Sequence, residues 1–269
     1  MRLAKRFAAI GAIGVLTAVA LTTSSNAQPV EPAAAPAAAA TDSDHDTVYV
    51  TGKDRAGNMT VTIYDPAKGV TPDQLREKLR SNGVTGVLNK GQTPPSSQPN
   101  TSTPPKALAC LTEGTARQWC DHQWNYGSYK DPQVYFLDST TSAWPVVASV
   151  TEWNRATGID SFWKSGSSAC PSGVHCVTVA NGAYGSTGWL GLTTWTPSTQ
   201  GPVSVQLNDS YTLTAAEHRT VACHELGHAL ALNHNTSTSS CLYSGTYISL
   251  VPNADDYKLL PLIYPLAGT

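Results

Sequence analysis

The stretch "CHELGHALALNH", residues 223–234, contains three of the seven histidines in this 269-residue chain. His224 and His228 are four residues apart, so on a helix they project from one face about 6 Å apart. Two imidazoles at that separation can share a tetrahedral Zn²⁺ ion. Glu225 lies about 100° around the helix from His224, where it can take a proton from a zinc-bound water. The spacing predicts a hydrolytic zinc site; histidines that are merely buried in a core are the alternative.

The third ligand decides the class of zinc site. Some zinc peptidases take a glutamate from a later helix, but no glutamate follows Glu225. Others use the aspartate of a G-T-x-x-D pattern, which "GTYIS" (245–249) does not match. His234, just beyond the predicted helix end, is the candidate that remains. Asp255 and Asp256 are alternatives, although a place at the start of a helix would also account for both.

Four segments carry a resemblance to a known family. "HELGHALALNH" (224–234) resembles the metzincin signature H-E-x-x-H-x-x-G-x-x-H. "GWLGLTTW" (188–195) resembles the edge strand along which the matrixin branch aligns substrate. "SSCLYSG" (239–245) resembles the Met-turn of these enzymes, and "NADDYKLLPLIY" (253–264) resembles their C-terminal helix. The resemblance covers roughly residues 140–265.

This resemblance implies an α+β fold with a twisted mixed sheet, an active-site helix and a cleft. Carried over by position, His224, His228 and His234 would bind zinc and Glu225 would be the general base. We therefore expect a monomeric zinc endopeptidase acting on protein or peptide substrates. A catalytically weak or inactive metzincin-like secreted binding protein is the alternative, and an amidase acting on cell-wall peptides is a third possibility.

Two positions depart from the family pattern. Ala231 stands where family members have a glycine that turns the chain toward the third histidine. If that turn needs a positive φ, alanine costs roughly 1–2 kcal/mol, and we expect Asn233, which tolerates the left-handed region, to help. Leu242 stands where the Met-turn methionine would be. That methionine forms a hydrophobic floor, so leucine is a volume-conserving replacement.

Several other residues are candidates for the site. Tyr243 and Tyr247 could stabilise a tetrahedral intermediate, although a core or surface role is favoured for both. "NGAYGSTG" (181–188) is either a calcium-binding loop or a turn; we favour the turn, so Ca²⁺ is not supported by a clear motif. The other histidines are predicted to have no role at the metal: His45, His122 and His218 as solvated residues, and His175 as a surface-loop residue.

The N-terminus is typical of a secretory signal peptide over residues 1–27. A positively charged start precedes the apolar residues 7–21, and Ser25 and Ala27 stand at the small-residue positions of a cleavage site. An uncleaved anchor is the alternative. We expect a secreted protein that has no membrane segment after signal removal. The net charge of −2 and the lack of a long basic run give no indication of nucleic-acid binding.

Because secreted proteins fold in an oxidising environment, we predict that the six cysteines form disulfide bonds. Six cysteines allow 15 connectivities, and we favour sequential pairing, which closes three short loops: Cys110–Cys120, Cys170–Cys176 and Cys223–Cys241. A bridge between Cys223 and Cys241 would add about 3 kcal/mol to the free energy of unfolding. It would also hold the zinc helix to the floor of the site.

Composition divides the mature chain into four parts. Residues 28–46 form an Ala/Pro tract that we predict to be disordered, and residues 92–105 form a Pro/Ser/Thr linker. Between them, residues 47–91 are predicted to be a small pro-segment that makes the protein a zymogen, with an exported binding module as the alternative. This segment contains no cysteine, so a matrixin-like thiol latch is excluded. Residues 106–269 are the predicted catalytic domain.

Local patterns predict the secondary structure of both folded parts. In the pro-segment we expect a hairpin over 47–65 and a helix over 71–83 with a capping box. In the catalytic domain we expect strands at 133–138, 175–180, 188–195 and 203–208. We expect helices over 142–158, from a cap at Thr214 to about Leu232, and from about Asn253, where Pro261 shortens or kinks the last of them.

Overall fold

The computed structural model describes residues 46–95, 110–196, 202–245 and 249–266. The signal peptide, the Ala/Pro tract up to residue 45, and most of the predicted linker lie outside these residues. No helix within the described ranges is long and apolar enough to cross a membrane. The described elements, in chain order, are β1 Val48–Lys53, β2 Met59–Pro66, α1 Pro72–Ser81, β3 Thr112–Glu113, β4 Ala116–Arg117, β5 Gln133–Asp138, α2 Val146–Trp153, β6 Asp160–Ser165, β7 His175–Gly182, β8 Trp189–Trp195, β9 Val203–Asn208, α3 Ala215–Ala229 and α4 Ala254–Ile263.

A seven-stranded mixed sheet organises the fold, in the order β1-β2-β8-β9-β7-β5-β6. Strands β6, β5, β7 and β9 are mutually parallel, and β8, β2 and β1 follow as antiparallel neighbours. The hairpin of the predicted pro-segment is therefore part of the same sheet as the predicted catalytic domain. Strand β8, which was expected to be an edge strand, has β9 on one side and β2 on the other.

Helices cover both faces of the sheet. On one face, α1 packs against β1 and β8 through a small apolar cluster: Val48, Val50, Leu75, Leu79, Trp189 and Leu192. On the other face, α2 and α3 pack against each other and against the larger core. Helix α3, which carries the histidine motif, lies against β8 and β9. Ten consecutive residues of α3 are buried, from Thr220 to Ala229, so the motif is in the interior.

The sequence predicted most elements and missed some boundaries. Helix α1 begins after Thr71 with the expected capping box, and α3 begins after Thr214 in the same way. Helix α2 is shorter than the expected 142–158 because Pro145 lacks an N–H and disfavours helical backbone before it. Strand β6 was not predicted, and neither was the short β3–β4 hairpin.

All three disulfides have the predicted sequential pairing. They join Cys110 to Cys120, Cys170 to Cys176, and Cys223 to Cys241. Every cysteine lies at or after residue 110, so no disulfide connects the first two strands and α1 to the rest of the chain.

Candidate metal centre

Three histidine side chains converge beneath the sheet. His224 and His228 come from successive turns of α3, and His234 comes from the loop that follows. The ring centroids are 4.6 Å apart for His224 and His228, and 5.0 Å apart for each pair with His234. One nitrogen from each ring lies within 4.8 Å of the others, and all three residues are buried. The group could hold a metal ion.

Hydrogen bonds at Nδ1 place a proton on that atom in His224 and His228 and orient the ring of His234. His224 Nδ1 lies 2.8 Å from the carbonyl oxygen of Cys241, and His228 Nδ1 lies 2.8 Å from that of Leu232. A carbonyl can only accept, so each Nδ1 carries the proton and each Nε2 presents a lone pair. His234 Nδ1 lies 3.1 Å from Thr47 Oγ1, which orients its Nε2 toward the same place.

These lone pairs make the site suited to a cation. The Nε2 atoms of His224 and His228 are 3.0 Å apart, close to the roughly 3.3 Å between two nitrogens of one tetrahedral zinc. At this distance the two nitrogens either share a proton in a hydrogen bond or have a metal ion between them. Burial and the neighbouring histidines lower the pKa of His228 well below its usual range, and burial and His224 do the same for His234. Neutral imidazoles of this kind are good zinc ligands.

Strand β8 holds Glu225 beside the histidines. Thr193 Oγ1 lies 2.6 Å from Glu225 Oε2 and donates to it. A Cβ atom added to Gly191 would lie 2.6 Å from Glu225 Cγ, so only glycine leaves room for the carboxylate there. Burial, followed by the charge of Asp65, raises the pKa of Glu225 well above its usual range, and the Thr193 hydrogen bond opposes this. The carboxyl group is therefore held firmly and has raised proton affinity.

We predict that Gly191→Ala displaces Glu225 without removing the histidines. The added methyl group would overlap the carboxylate and its Cγ, so the base would move from its position against Thr193. A misplacement of about 1 Å can cost on the order of 100-fold in rate. The expected result is a fall in kcat of this size with unchanged zinc content, measured by peptide hydrolysis and elemental analysis. Loss of zinc together with activity would instead indicate general disruption of the site.

The chain turns toward His234 at Ala231, which has a φ of 70°. The N–H of Ala231 donates to the carbonyl of His228, and the N–H of Leu232 donates to that of Gly227. This is the Schellman pattern that ends many helices, in which the turning residue is usually glycine. The helix therefore ends at Ala229 rather than near Leu232. We expected Asn233 to help make this turn by adopting the left-handed conformation. That expectation was wrong, because Asn233 is not among the described residues with positive φ.

We predict that Ala231→Gly stabilises the protein. Relief of the left-handed strain, about 1–2 kcal/mol, exceeds the entropic cost of glycine, about 0.5–1 kcal/mol. The free energy of unfolding should rise by roughly 0.5–1 kcal/mol, measured by urea denaturation. Ala229→Gly, two residues earlier and in regular helix, is the matched control and should lower it by a similar amount. Equal destabilisation by both changes would show that Ala231 is not strained.

Aromatic donors satisfy the carbonyl groups at the buried C-terminus of α3. Four carbonyls at a helix end lack partners within the helix, and here they are shielded from water. Trp195 Nε1 donates to the carbonyl of His228, and Trp124 Nε1 donates to that of Ala229. The Tyr264 hydroxyl donates to that of Leu230. These bonds explain how a helix end that carries two histidines of the site can be buried.

Leu242, which stands at the Met-turn methionine position of the family pattern, forms an apolar floor beneath Gly227 of α3. It is fully buried, and an added Cβ at Gly227 would lie 2.9 Å from Leu242 Cδ2. The Cys223–Cys241 disulfide joins α3 to this floor, and the carbonyl of Cys241 is the acceptor for His224. The disulfide therefore fixes a residue that orients a histidine.

Asp65, which the sequence did not predict as a site residue, lies beside the histidines. Its side chain is fully buried, and Oδ1 lies 4.0 Å from His224 Nε2. Asp65, His224 and Glu225 form a second group whose ligand atoms lie within 4.8 Å of one another. Alternation along β2 was the available signal, because Asp65 follows Val61 and Ile63 at a spacing of two on the apolar face.

The other candidates have structural roles. Asp255 and Asp256 lie in the first turn of α4, as the helix-start interpretation predicted. Tyr243 is half-buried, and Tyr247 and His45 lie outside the described residues.

The expectation that His122 is solvated was wrong. It is buried and stacks on Trp119, and burial lowers its pKa to about 4. His175 is not in a surface loop: it begins β7, is half-buried and stacks on Trp124. His218 is also partly covered, by Trp144.

Comparisons with known proteins add little to this geometry. No protein-family model matches the chain, and no curated protein matches it. Among solved structures, the chain is similar to the structure of Myroilysin, with 17% sequence identity over 53% of this chain and 82% of that chain, and a TM-score of 0.31. A likeness of this strength carries no argument about function.

Proposed function

We propose that the chain is a secreted zinc-dependent endopeptidase of the metzincin type. The observation that carries the proposal is the convergence of three buried imidazoles, each with a hydrogen bond at Nδ1, beside a buried carboxyl group. His224, His228 and His234 would hold the zinc, and Glu225 would be the general base. The three disulfides and the predicted signal peptide support export. A protein or peptide substrate and a monomeric state belong to the same proposal.

Each residue of the site would have its own role in hydrolysis. His224, His228 and His234 would hold the zinc, which would supply a bound water of lowered pKa and a Lewis acid for the substrate carbonyl. Glu225 would take the proton from the attacking water and return it to the leaving amine. Thr193 and Gly191 keep the carboxylate in position for both transfers, and burial strengthens it as a base. The carbonyl groups of Cys241 and Leu232 hold the Nδ1 atoms of His224 and His228, so the Nε2 atoms of these rings would be the metal ligands.

The alternative is a binding protein that retains the metal ligands but does not catalyse hydrolysis. The complete burial of His224, His228 and Glu225 favours it, because a substrate cannot reach a closed site. Glu225 opposes it, since a binding protein gains nothing obvious from a base held beside a metal.

The two functions are distinguished by assaying hydrolysis of casein before and after limited proteolysis of the purified protein. The endopeptidase proposal expects hydrolysis after proteolysis that a chelator abolishes and added zinc restores. One zinc per chain with no hydrolysis of casein or peptides before or after proteolysis would favour the binding protein.

A further inference from the structure

A short hairpin lies against the stretch that carries the third histidine. Strands β3 and β4 form this hairpin, and the Cys110–Cys120 disulfide closes it. Residues 115–119 run antiparallel to residues 231–236, which include His234. No residue of the hairpin belongs to the histidine group, so the hairpin can affect a metal only through the residues that it holds.

Three backbone hydrogen bonds join the two stretches, with N···O distances of 2.8, 2.8 and 3.1 Å. They are the bonds from Trp119 N–H to the carbonyl of Ala231, from Asn233 N–H to that of Arg117, and from Thr236 N–H to that of Thr115. Two of them lie before His234 in the chain and the third lies after it. Because the backbone is held on both sides of His234, the hairpin fixes where this side chain lies.

The hairpin bears on His234 more than on the two helix ligands. Leu232, whose carbonyl accepts from His228, is itself bonded to the helix, because its N–H donates to the carbonyl of Gly227. His234 lies beyond the helix, and the chain reaches it through the turn at Ala231, where φ is positive. Such a turn is strained in alanine, so the ligand that follows it depends on contacts from elsewhere to keep its position.

The same stretch has further anchors. The N–H of Asn235 donates to the carbonyl of Leu242 at 2.8 Å, and the side-chain amide of Asn235 donates to Asp256 at 2.7 Å. Thr47 Oγ1 contacts the ring of His234. Opening the hairpin leaves these contacts in place, so we expect it to weaken the metal site rather than to abolish it.

The disulfide that closes the hairpin is more accessible than the one beneath the histidines. Cys110 and Cys120 are both half-buried, whereas Cys223 and Cys241 are fully buried. Thiol–disulfide exchange requires a thiolate to reach one of the sulfur atoms. A dithiol reductant should therefore open Cys110–Cys120 while the folded chain keeps Cys223–Cys241 intact.

We propose that the hairpin over 110–120 is the positioning element of His234, and that its disulfide is a redox control of the third ligand. This inference rests on the proposed metal centre. A dithiol that attacks the Cys110–Cys120 bond breaks it and is itself oxidised to a disulfide, and the two cysteines gain two electrons and two protons as thiols. The opened hairpin then holds residues 231–236 less firmly, and the metal affinity falls.

The first test measures the Co²⁺ affinity of the full chain by chelator competition. Replacing Cys110 and Cys120 by serine should lower this affinity about 10–100-fold, the range typical of losing a group that orients a ligand. The visible spectrum of bound Co²⁺ should change as well, because one ligand is displaced. Replacing Cys170 and Cys176 by serine is the matched control, because that short bridge lies in neither of the paired stretches, and it should match wild type.

A double-mutant cycle shows whether the effect passes through His234. In a His234→Ala chain, the serine replacements at Cys110 and Cys120 should lower the Co²⁺ affinity by no more than about 2-fold, the scatter expected of additive changes. The reason is that the ligand that the hairpin positions is already gone. An equal further loss in both backgrounds would show that the hairpin acts on general stability, and the proposal would be wrong.

A second experiment needs no substitution in the hairpin and decides the matter if the serine variant does not fold. The chain with serine at 170 and 176 is treated with a dithiol, blocked with iodoacetamide, freed of reagents and analysed by peptide mapping. Cys110 and Cys120 should be blocked while Cys223 and Cys241 remain bridged. The Co²⁺ affinity of this material should be at least about 10-fold below that of the untreated chain.

The outcomes separate this inference from the peptidase function. Full Co²⁺ affinity in the serine variant or in the reduced chain would overturn the proposal, as would opening of Cys223–Cys241 before Cys110–Cys120. A wild-type chain that does not bind Co²⁺ would overturn it together with the metal centre. Because metal affinity is the readout, a chain that binds Co²⁺ as expected but hydrolyses no casein would count against the peptidase function alone.

Discussion

Glu225→Gln should reduce kcat by about 10²–10⁴-fold, the usual contribution of general acid–base catalysis, while the zinc content stays the same. Glutamine has nearly the same shape as glutamate, and its amide oxygen can still accept from Thr193. It cannot take a proton from water, so both proton transfers are lost. The measurement is chelator-sensitive peptide hydrolysis by the protein after cleavage in the linker, alongside elemental analysis of zinc.

Glu217→Gln is the matched control for this variant. Glu217 lies on the same helix and accepts from the N-cap residue Thr214, and glutamine also serves in a capping box. The control should keep full activity. Retained activity in Glu225→Gln would mean that another group is the base, and loss of zinc would mean that Glu225 acts at the metal itself.

Replacement of both Cys223 and Cys241 by alanine should lower the free energy of unfolding by about 3 kcal/mol. The bridge spans a sequence separation of 18, so its removal enlarges the unfolded ensemble. The site should be affected as well, because the Cys241 carbonyl orients His224. Loss of a partner that orients a ligand typically costs 10–100-fold in metal affinity. Urea denaturation and chelator competition measure the two effects separately.

The Cys170–Cys176 bridge provides the control for this double replacement. Its sequence separation is only 6, and neither cysteine bonds to a histidine of the metal centre. Removing it should destabilise the protein somewhat less and leave zinc affinity unchanged. Equal losses of zinc affinity in both double variants would show that the effect reflects global stability rather than orientation of His224.

Local rules predicted the part of the site that lies on one helix. The spacing of His224 and His228, the cap at Thr214 and the place of Glu225 follow from helix geometry alone. The sequential disulfides were also predicted from short loops. Leu242 as the hydrophobic floor and Ala231 as the turning residue could be placed by position in the motif, although only the structure shows that Ala231 adopts a positive φ.

The pairing of strands that are distant in the chain could not be predicted from the sequence. The hairpin over 47–65 was predicted, but nothing local indicates that β2 pairs with β8, more than 120 residues later. That pairing brings Asp65 to His224, and together with the β1–β2 pairing it brings Thr47 to His234. The burial of His122 also depends on a distant residue, because Trp195 packs against both His122 and its neighbour Trp119.

The zinc content of the purified full chain tests the central claim most directly, by elemental analysis of wild type and His234→Ala after dialysis against a weak chelator. We expect one zinc per wild-type chain. In His234→Ala we expect the zinc affinity to fall more than about 100-fold, because losing a ligand should cost more than losing a residue that orients one. His218→Ala, on the same helix but outside the site, should match wild type. A wild-type chain without zinc, or a His234→Ala variant that retains it fully, would contradict the account.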